Sequence, residues 1–164
     1  MIKKVVIVGA GNVATHLSKA IKNAGFQILQ IASRTEKSAK ELGTLLDVPF
    51  TSSKEDFNTD ADLYIYSVKD DAITEALRTF TPPTDALIVH TAGSVSMEIL
   101  KDFSSNMGIF YPLQTFSKAK DVDFSQIPLY IEANNKDKEN ELLLFASTFS
   151  TRAKLVNSEN RAKV

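Results

Sequence analysis

Short runs of β-branched residues alternate along this chain with segments whose apolar positions recur at helical spacing. Lys4-Val-Val-Ile-Val8 is apolar and unbroken after its first residue, as a strand buried on both faces would be. From Asn12 the period changes. Val13, Ala14, Leu17, Ala20, Ile21 and Ala24 fall on one helical stripe, and Gly25 stands where a glycine ends a helix. Phe26 to Ala32 reads as a second strand, and Thr35 caps a second helix that buries Ala39, Leu42, Leu45 and Leu46. Val48 to Thr51 predicts a weak third strand and Asp62 to Val68 a strong fourth. A helix from Asp71 to about Phe80 is stopped by Thr81-Pro-Pro83. Ala86 to His90 is a fifth strand, with a short helix near Met97 to Phe103. Strands at Met107–Tyr111, Leu129–Ala133 and Ala153–Val156 follow, with one more helix near Lys138 to Phe149. This alternation predicts an α/β fold, a doubly wound and mostly parallel sheet with extra C-terminal strands, some of them antiparallel.

Composition narrows the field. The 164 residues suit one domain, and 43% hydrophobic with 24% charged residues is the mix of a folded globular chain. Nineteen Lys and Arg stand against 20 Asp and Glu, without the basic excess of a nucleic-acid binder. No apolar run approaches the roughly 18 residues of a membrane span. There are no cysteines, which excludes disulfides, thiolate metal sites and cysteine nucleophiles, and two histidines make a structural zinc site a poor expectation. No signal peptide is legible at the N-terminus, so the expected address is the cytoplasm. His16 is expected on the surface of the first helix. Ser158 can cap a further helix over Glu159 to Val164, too short to stand alone, as if one domain had been cut from a longer protein.

The chemistry begins at Gly9-Ala-Gly11-Asn-Val-Ala14, a GxGxxA turn between an apolar strand and an amphipathic helix. Gly9 permits the tight turn, Gly11 lets a pyrophosphate approach the backbone, and Ala14 lets the helix pack close to its strand. Free N–H groups at the start of that helix, with Asn12 and Val13, then hold the anion. Past the second strand, NAD and FAD sites place an acid that binds ribose hydroxyls, whereas this chain has Ser33-Arg34-Thr35. Arg34 stands 20 positions past Ala14, where its guanidinium can hold a 2′-phosphate in a bidentate fork, with hydroxyls from Ser33 and Thr35. The expected cofactor is therefore NADP. S-adenosylmethionine enzymes also favour an acid at this place and are disfavoured.

Ligands of such sheets lie beyond the carboxyl ends of the strands. Ser67, Val68 and Lys69 end the fourth strand and are expected to border the cofactor's ribose and nicotinamide. His90-Thr-Ala-Gly-Ser94 ends the fifth, where His90 is either a proton donor or a hydrogen-bonded structural histidine. Tyr111-Pro-Leu-Gln-Thr115 ends the sixth and suits a substrate wall or a simple turn.

Together, Lys4 to Ala14, Ser33-Arg34, Ser67-Val-Lys69, His90 to Ser94 and Tyr111-Pro-Leu-Gln-Thr-Phe116 resemble a bacterial Rossmann-like NADP oxidoreductase family. It is related to pyrroline-5-carboxylate reductase, 6-phosphogluconate dehydrogenase and the deazaflavin-coenzyme-dependent NADP oxidoreductases. At Tyr111 and Ala92 the chain departs from the pattern, since many relatives carry His and Ser there. The resemblance implies residues 1–157 as the NADP-binding Rossmann domain and residues 158–164 as the start of a C-terminal helical domain. It implies an active site between the two and a homodimer made by the second. The expected function is the NADP(H)-binding domain of an oxidoreductase that moves hydride between NADPH and a small C=N or C=O substrate. This chain alone is expected to be inactive. Thr91 and Ala92 join Ser67 and Val68 at the nicotinamide ribose, and His90, Ser94, Tyr111 and Gln114 are the substrate-side candidates. The alternative is a nonenzymatic NADP(H)-sensing or binding module that uses the same cofactor residues; a scaffold that binds no nucleotide stands behind it.

Overall fold

A computed structural model describes residues 1–157. Strand β1 (Lys4–Val8) has every side chain but the first buried, and these alternate between two cores. Val5 and Ile7 pack with Ala14, Leu17 and Ile21 of helix α1 (Asn12–Asn23), while Val6 and Val8 face Tyr64, Tyr66 and Ile73. Helix α1 stops as its sequence predicts. Gly25 takes φ 96°, its N–H reaches the Lys22 carbonyl, and the Phe26 N–H reaches that of Ile21. These are the paired bonds of a Schellman turn.

Strand β2 (Gln27–Ala32) leads to helix α2 (Glu36–Leu46), which starts at the Thr35 cap. Its buried stripe is Ala39, Leu42, Gly43 and Leu46. Leu45, expected inside, lies off that stripe and is 58% exposed. Strand β3 (Phe50–Thr51) is short, and strand β4 (Leu63–Tyr66) is wholly buried. A 3-10 turn at Asp70–Ala72 precedes helix α3 (Ile73–Thr79), and strand β5 (Leu87–His90) follows. The helix expected near Met97 is only a 3-10 turn, Met97–Leu100. The chain must soon re-enter the sheet, and the Ser104 hydroxyl already bonds the Ala86 carbonyl beside the start of β5. Strands β6 (Asn106–Pro112) and β7 (Leu129–Ala133), helix α4 (Lys136–Ser147) and strand β8 (Ala153–Leu155) complete the described residues.

The eight strands run β3-β2-β1-β4-β5-β6-β7-β8 in one sheet. All neighbours are parallel except β6 and β7. The first six give the order 3-2-1-4-5-6 of a doubly wound Rossmann fold, with the direction of winding reversing between β1 and β4. The extra C-terminal strands extend it through the antiparallel pair, as predicted. Among the described residues no helix is long and apolar enough to cross a membrane.

Residues 113–128 hold no helix beyond a 3-10 turn at Phe124–Gln126, yet they fill the space between α1 and α4. Phe116 stacks on Phe124, which meets Phe149, which meets Phe110 and Phe145. His16 joins this row against expectation. It is 4% exposed, stacks on Phe116 with centroids 5.4 Å apart, and bonds the Ser117 carbonyl through Nε2. Its position on α1 looked solvent-facing because the segment that covers it comes about 100 residues later. Residues 158–164, expected to begin a further helix, lie outside the described residues.

Asp62 clamps the entry to the sheet: its Oδ2 accepts the N–H groups of Lys3 and Lys4, each at 2.9 Å. Partial burial pushes its carboxyl up, but those two bonds and the nearby positive charges outweigh it and hold the group below the usual carboxylate range. A depressed value adds stability above the unfolded value of about 3.9, and that stability is lost as pH falls through the folded one. The advantage of wild type over Asp62→Ala, read as the urea midpoint, should therefore be full at neutral pH and shrink between about pH 5 and 2.

Candidate functional site

The centre of the sheet delivers β1 into a turn with two different glycines. Gly9 takes φ 120°, and its N–H donates to the Ala32 carbonyl at 2.7 Å. A Cβ there would run into the Ser67 carbonyl, with Val68 Cγ1 beyond it at 3.2 Å. Packing of the strand ends thus demands glycine at this place. Gly11 has φ −83° and ψ −160°, which any residue can adopt, and a Cβ there would meet nothing within 4 Å. The fold makes no claim on Gly11; its missing side chain leaves open space before the start of α1. The cap has no side-chain hydrogen bond and the first turn has no acid. The Asn12, Val13 and Ala14 N–H groups have no intrahelical acceptor, and the helix dipole adds positive potential there. The Gly11 carbonyl, by contrast, is taken by the Thr15 N–H and hydroxyl.

One strand away, β2 ends in a knot of hydroxyls. Ser38 Oγ lies 2.7 Å from both Ser33 Oγ and Thr35 Oγ1, and its N–H donates to Thr35 Oγ1 at 3.2 Å. The strand-end reading missed Ser38, although its place three residues after the cap carries the signal. Arg34, beside this knot, is exposed and makes no ion pair among the described residues. Glu36 is also exposed and does not engage it.

On the other side, Ser67 is buried, donates its N–H to the Val8 carbonyl at 2.7 Å, and accepts the Thr91 hydroxyl at 3.3 Å. Gly9, Ser67, Val68 and Thr91 are therefore one packed group. Ala92 is buried beside them, and Lys69 is exposed at the head of the Asp70–Ala72 turn. Tyr66, directly below, belongs to the core: burial raises its phenol, which donates to the Phe80 carbonyl at 2.6 Å.

The substrate-side candidates separate. His90 is fully buried; its Nδ1 accepts the Ala92 N–H at 3.0 Å and its Nε2 pairs with the Ser96 carbonyl at 3.3 Å. Both ring nitrogens thus engage the backbone of the loop after β5. Ser94 donates to Asp70 Oδ2 at 3.2 Å and ties the β4 and β5 rims together. Gln114 is exposed, with its N–H turned back to the Pro112 carbonyl. Tyr111 lays its ring on Gly93, where a Cβ would fall within the ring. Among the described residues no acidic and histidine cluster could hold a metal ion.

Residues 4–93 match the family described as NADP oxidoreductase, coenzyme F420-dependent. The chain belongs to that family. A Bacteroides fragilis protein described as a candidate NADP oxidoreductase is 42% identical, with a TM-score of 0.93 over 98% of this chain and 63% of that one. Prephenate dehydrogenase of A. aeolicus shares the fold at 15% identity and TM-score 0.81, over 98% of this chain and 62% of that one. So does pyrroline-5-carboxylate reductase of Streptococcus pyogenes, at 17% and 0.76, over 95% of this chain and 59% of that one. The chain thus spans about three-fifths of the length of these structures. No curated protein matches it. The family is one of pyridine-nucleotide oxidoreductases.

The two glycines should respond differently to the same substitution. Gly9→Ala should cost at least about 2 kcal/mol, from the clash and the forced φ. Gly11→Ala should cost less than about 1 kcal/mol, the difference between glycine and alanine at a helix cap. Denaturant unfolding of both variants checks this.

Proposed function

We propose that this chain is the NADP(H)-binding domain of an oxidoreductase that reduces a small C=N or C=O substrate. The observation that carries the reading is the open space at Gly11, before the unpaired N–H groups of α1, with unpaired Arg34 at the end of the neighbouring strand. Gly11, Asn12 and Val13 receive the pyrophosphate, beyond the tight turn that Gly9 permits. Ser33, Arg34 and Thr35, with Ser38 bracing the two hydroxyls, take the 2′-phosphate. Ser67, Val68, Lys69, Thr91 and Ala92 border the nicotinamide ribose. NADPH supplies the hydride; the protein orients it and excludes water. A second, helical domain of the whole protein would close the substrate side and form a homodimer in the cytoplasm. What supports an enzyme over a sensor is the family, whose description is of oxidoreductases.

Calorimetry tests the cofactor assignment. Arg34→Ala should weaken NADP(H) binding by about 10- to 100-fold, the roughly 1.5–3 kcal/mol of a charge-assisted bidentate contact, and leave NAD(H) almost unchanged. Equal losses for both would remove the phosphate assignment. Gly11→Val should abolish binding of either dinucleotide while the unfolding midpoint stays near wild type.

The substrate half is tested by turnover. This chain should bind NADPH but oxidise it with a panel of small imines and 2-oxo acids far more slowly than the full-length protein. Hydride transfer needs the acceptor carbon held about 3–3.5 Å from its donor. Equal rates would show that the remainder of the protein is dispensable.

A further inference from the structure

We infer that Tyr111 is the proton donor of this site, an assignment that rests on the NADP(H) reading above and names the residue completing its chemistry. In the sheet register His90, the last residue of β5, pairs with Ile109 of β6. Tyr111 lies two residues further and so rises about 7 Å above the end of β5, on the side of the sheet's carboxyl rim. Its ring is clamped. One face covers Gly93, whose missing Cβ is the space that the ring fills, with Cζ, the carbon bearing the hydroxyl, among the nearest atoms. Tyr130, its partner across β7, meets it edge-on with centroids 6.3 Å apart. The phenol is thereby carried over the loop that follows Thr91 and Ala92. Among the described residues Tyr111 Oη has no hydrogen-bond partner, and the ring is half-buried.

The other rim groups are less suited. The ring nitrogens of His90 are engaged with backbone, the Ser94 hydroxyl donates to Asp70, and the Gln114 amide carries no transferable proton. Lys69 is exposed, with no described partner to hold its ammonium in place. A phenol held by packing on both sides, with its hydroxyl uncommitted, is free to donate to a substrate heteroatom at this rim. In the reaction, the acceptor carbon gains hydride from bound NADPH, leaving NADP+. The π pair of the C=O or C=N bond moves onto the heteroatom, and the heteroatom takes the Tyr111 proton, which solvent then returns to the phenolate.

The four tyrosines make the placement measurable. With 13Cζ-tyrosine in this chain, Tyr111→Phe identifies the Tyr111 resonance. Saturating NADP+ should move that resonance by more than its linewidth, while 2′-phospho-ADP-ribose, which lacks nicotinamide, should leave it in place. A still resonance at saturation with NADP+, or equal movement with both compounds, overturns the assignment and spares the cofactor reading. Failure of both compounds to bind overturns the cofactor reading and the assignment with it. In the full-length protein, on a substrate from the same panel, Tyr111→Phe should lower kcat by at least 100-fold with an unchanged Kd for NADPH. An undiminished kcat overturns the role in proton donation.

Discussion

Three strand ends meet at Gly9 with no room for a side chain. The Gly9 N–H bonds the Ala32 carbonyl, the Ser67 N–H bonds the Val8 carbonyl, and the Ser67 carbonyl occupies the place where a Cβ would stand. This close approach sets β1, β2 and β4 at one level and aims the start of α1 across the point where the winding of the sheet reverses. Every candidate cofactor contact inherits its position from it. Gly11 has a separate task, because the backbone there is ordinary and the surroundings are empty. One glycine serves the fold; the other leaves open space before α1.

The rim at the ends of β5 and β6 is held by side-chain contacts. His90 bonds the loop after β5 through both ring nitrogens, Ser94 reaches across to Asp70, and Gly93 admits the Tyr111 ring. The row from His16 through Phe116, Phe124 and Phe149 to Phe110 and Phe145 ties α1 to the connection between β6 and β7. Helix α1 and the segment between β6 and β7 therefore share one core.

Much of this was legible in the sequence because it is local. The apolar runs of β1, β4 and β5, the Gly25 turn, the Thr35 cap and the GxGxxA turn are each decided by a few neighbouring residues and their dihedral preferences. Alternation of strand and helix then leaves few topologies, and the order 3-2-1-4-5-6 is the common one. Two local readings failed at their margins. Leu45 has the spacing of a core residue but lies outside the stripe that α2 buries, and Met97 to Leu100 tightened into a 3-10 turn.

By itself, then, the sequence determined the elements, the parallel sheet and the glycine turn at its centre, since these rest on periodicity and on contacts between near neighbours. Tertiary structure alone decided the tasks of the polar side chains. His16 went from surface to core because Phe116 and Ser117 return to cover it. His90 became a brace because the Ala92 N–H and Ser96 carbonyl turn back onto its ring. In each case the deciding partner is fixed by how the chain packs, and spacing along the sequence does not record a contact made only after the chain has folded back on itself.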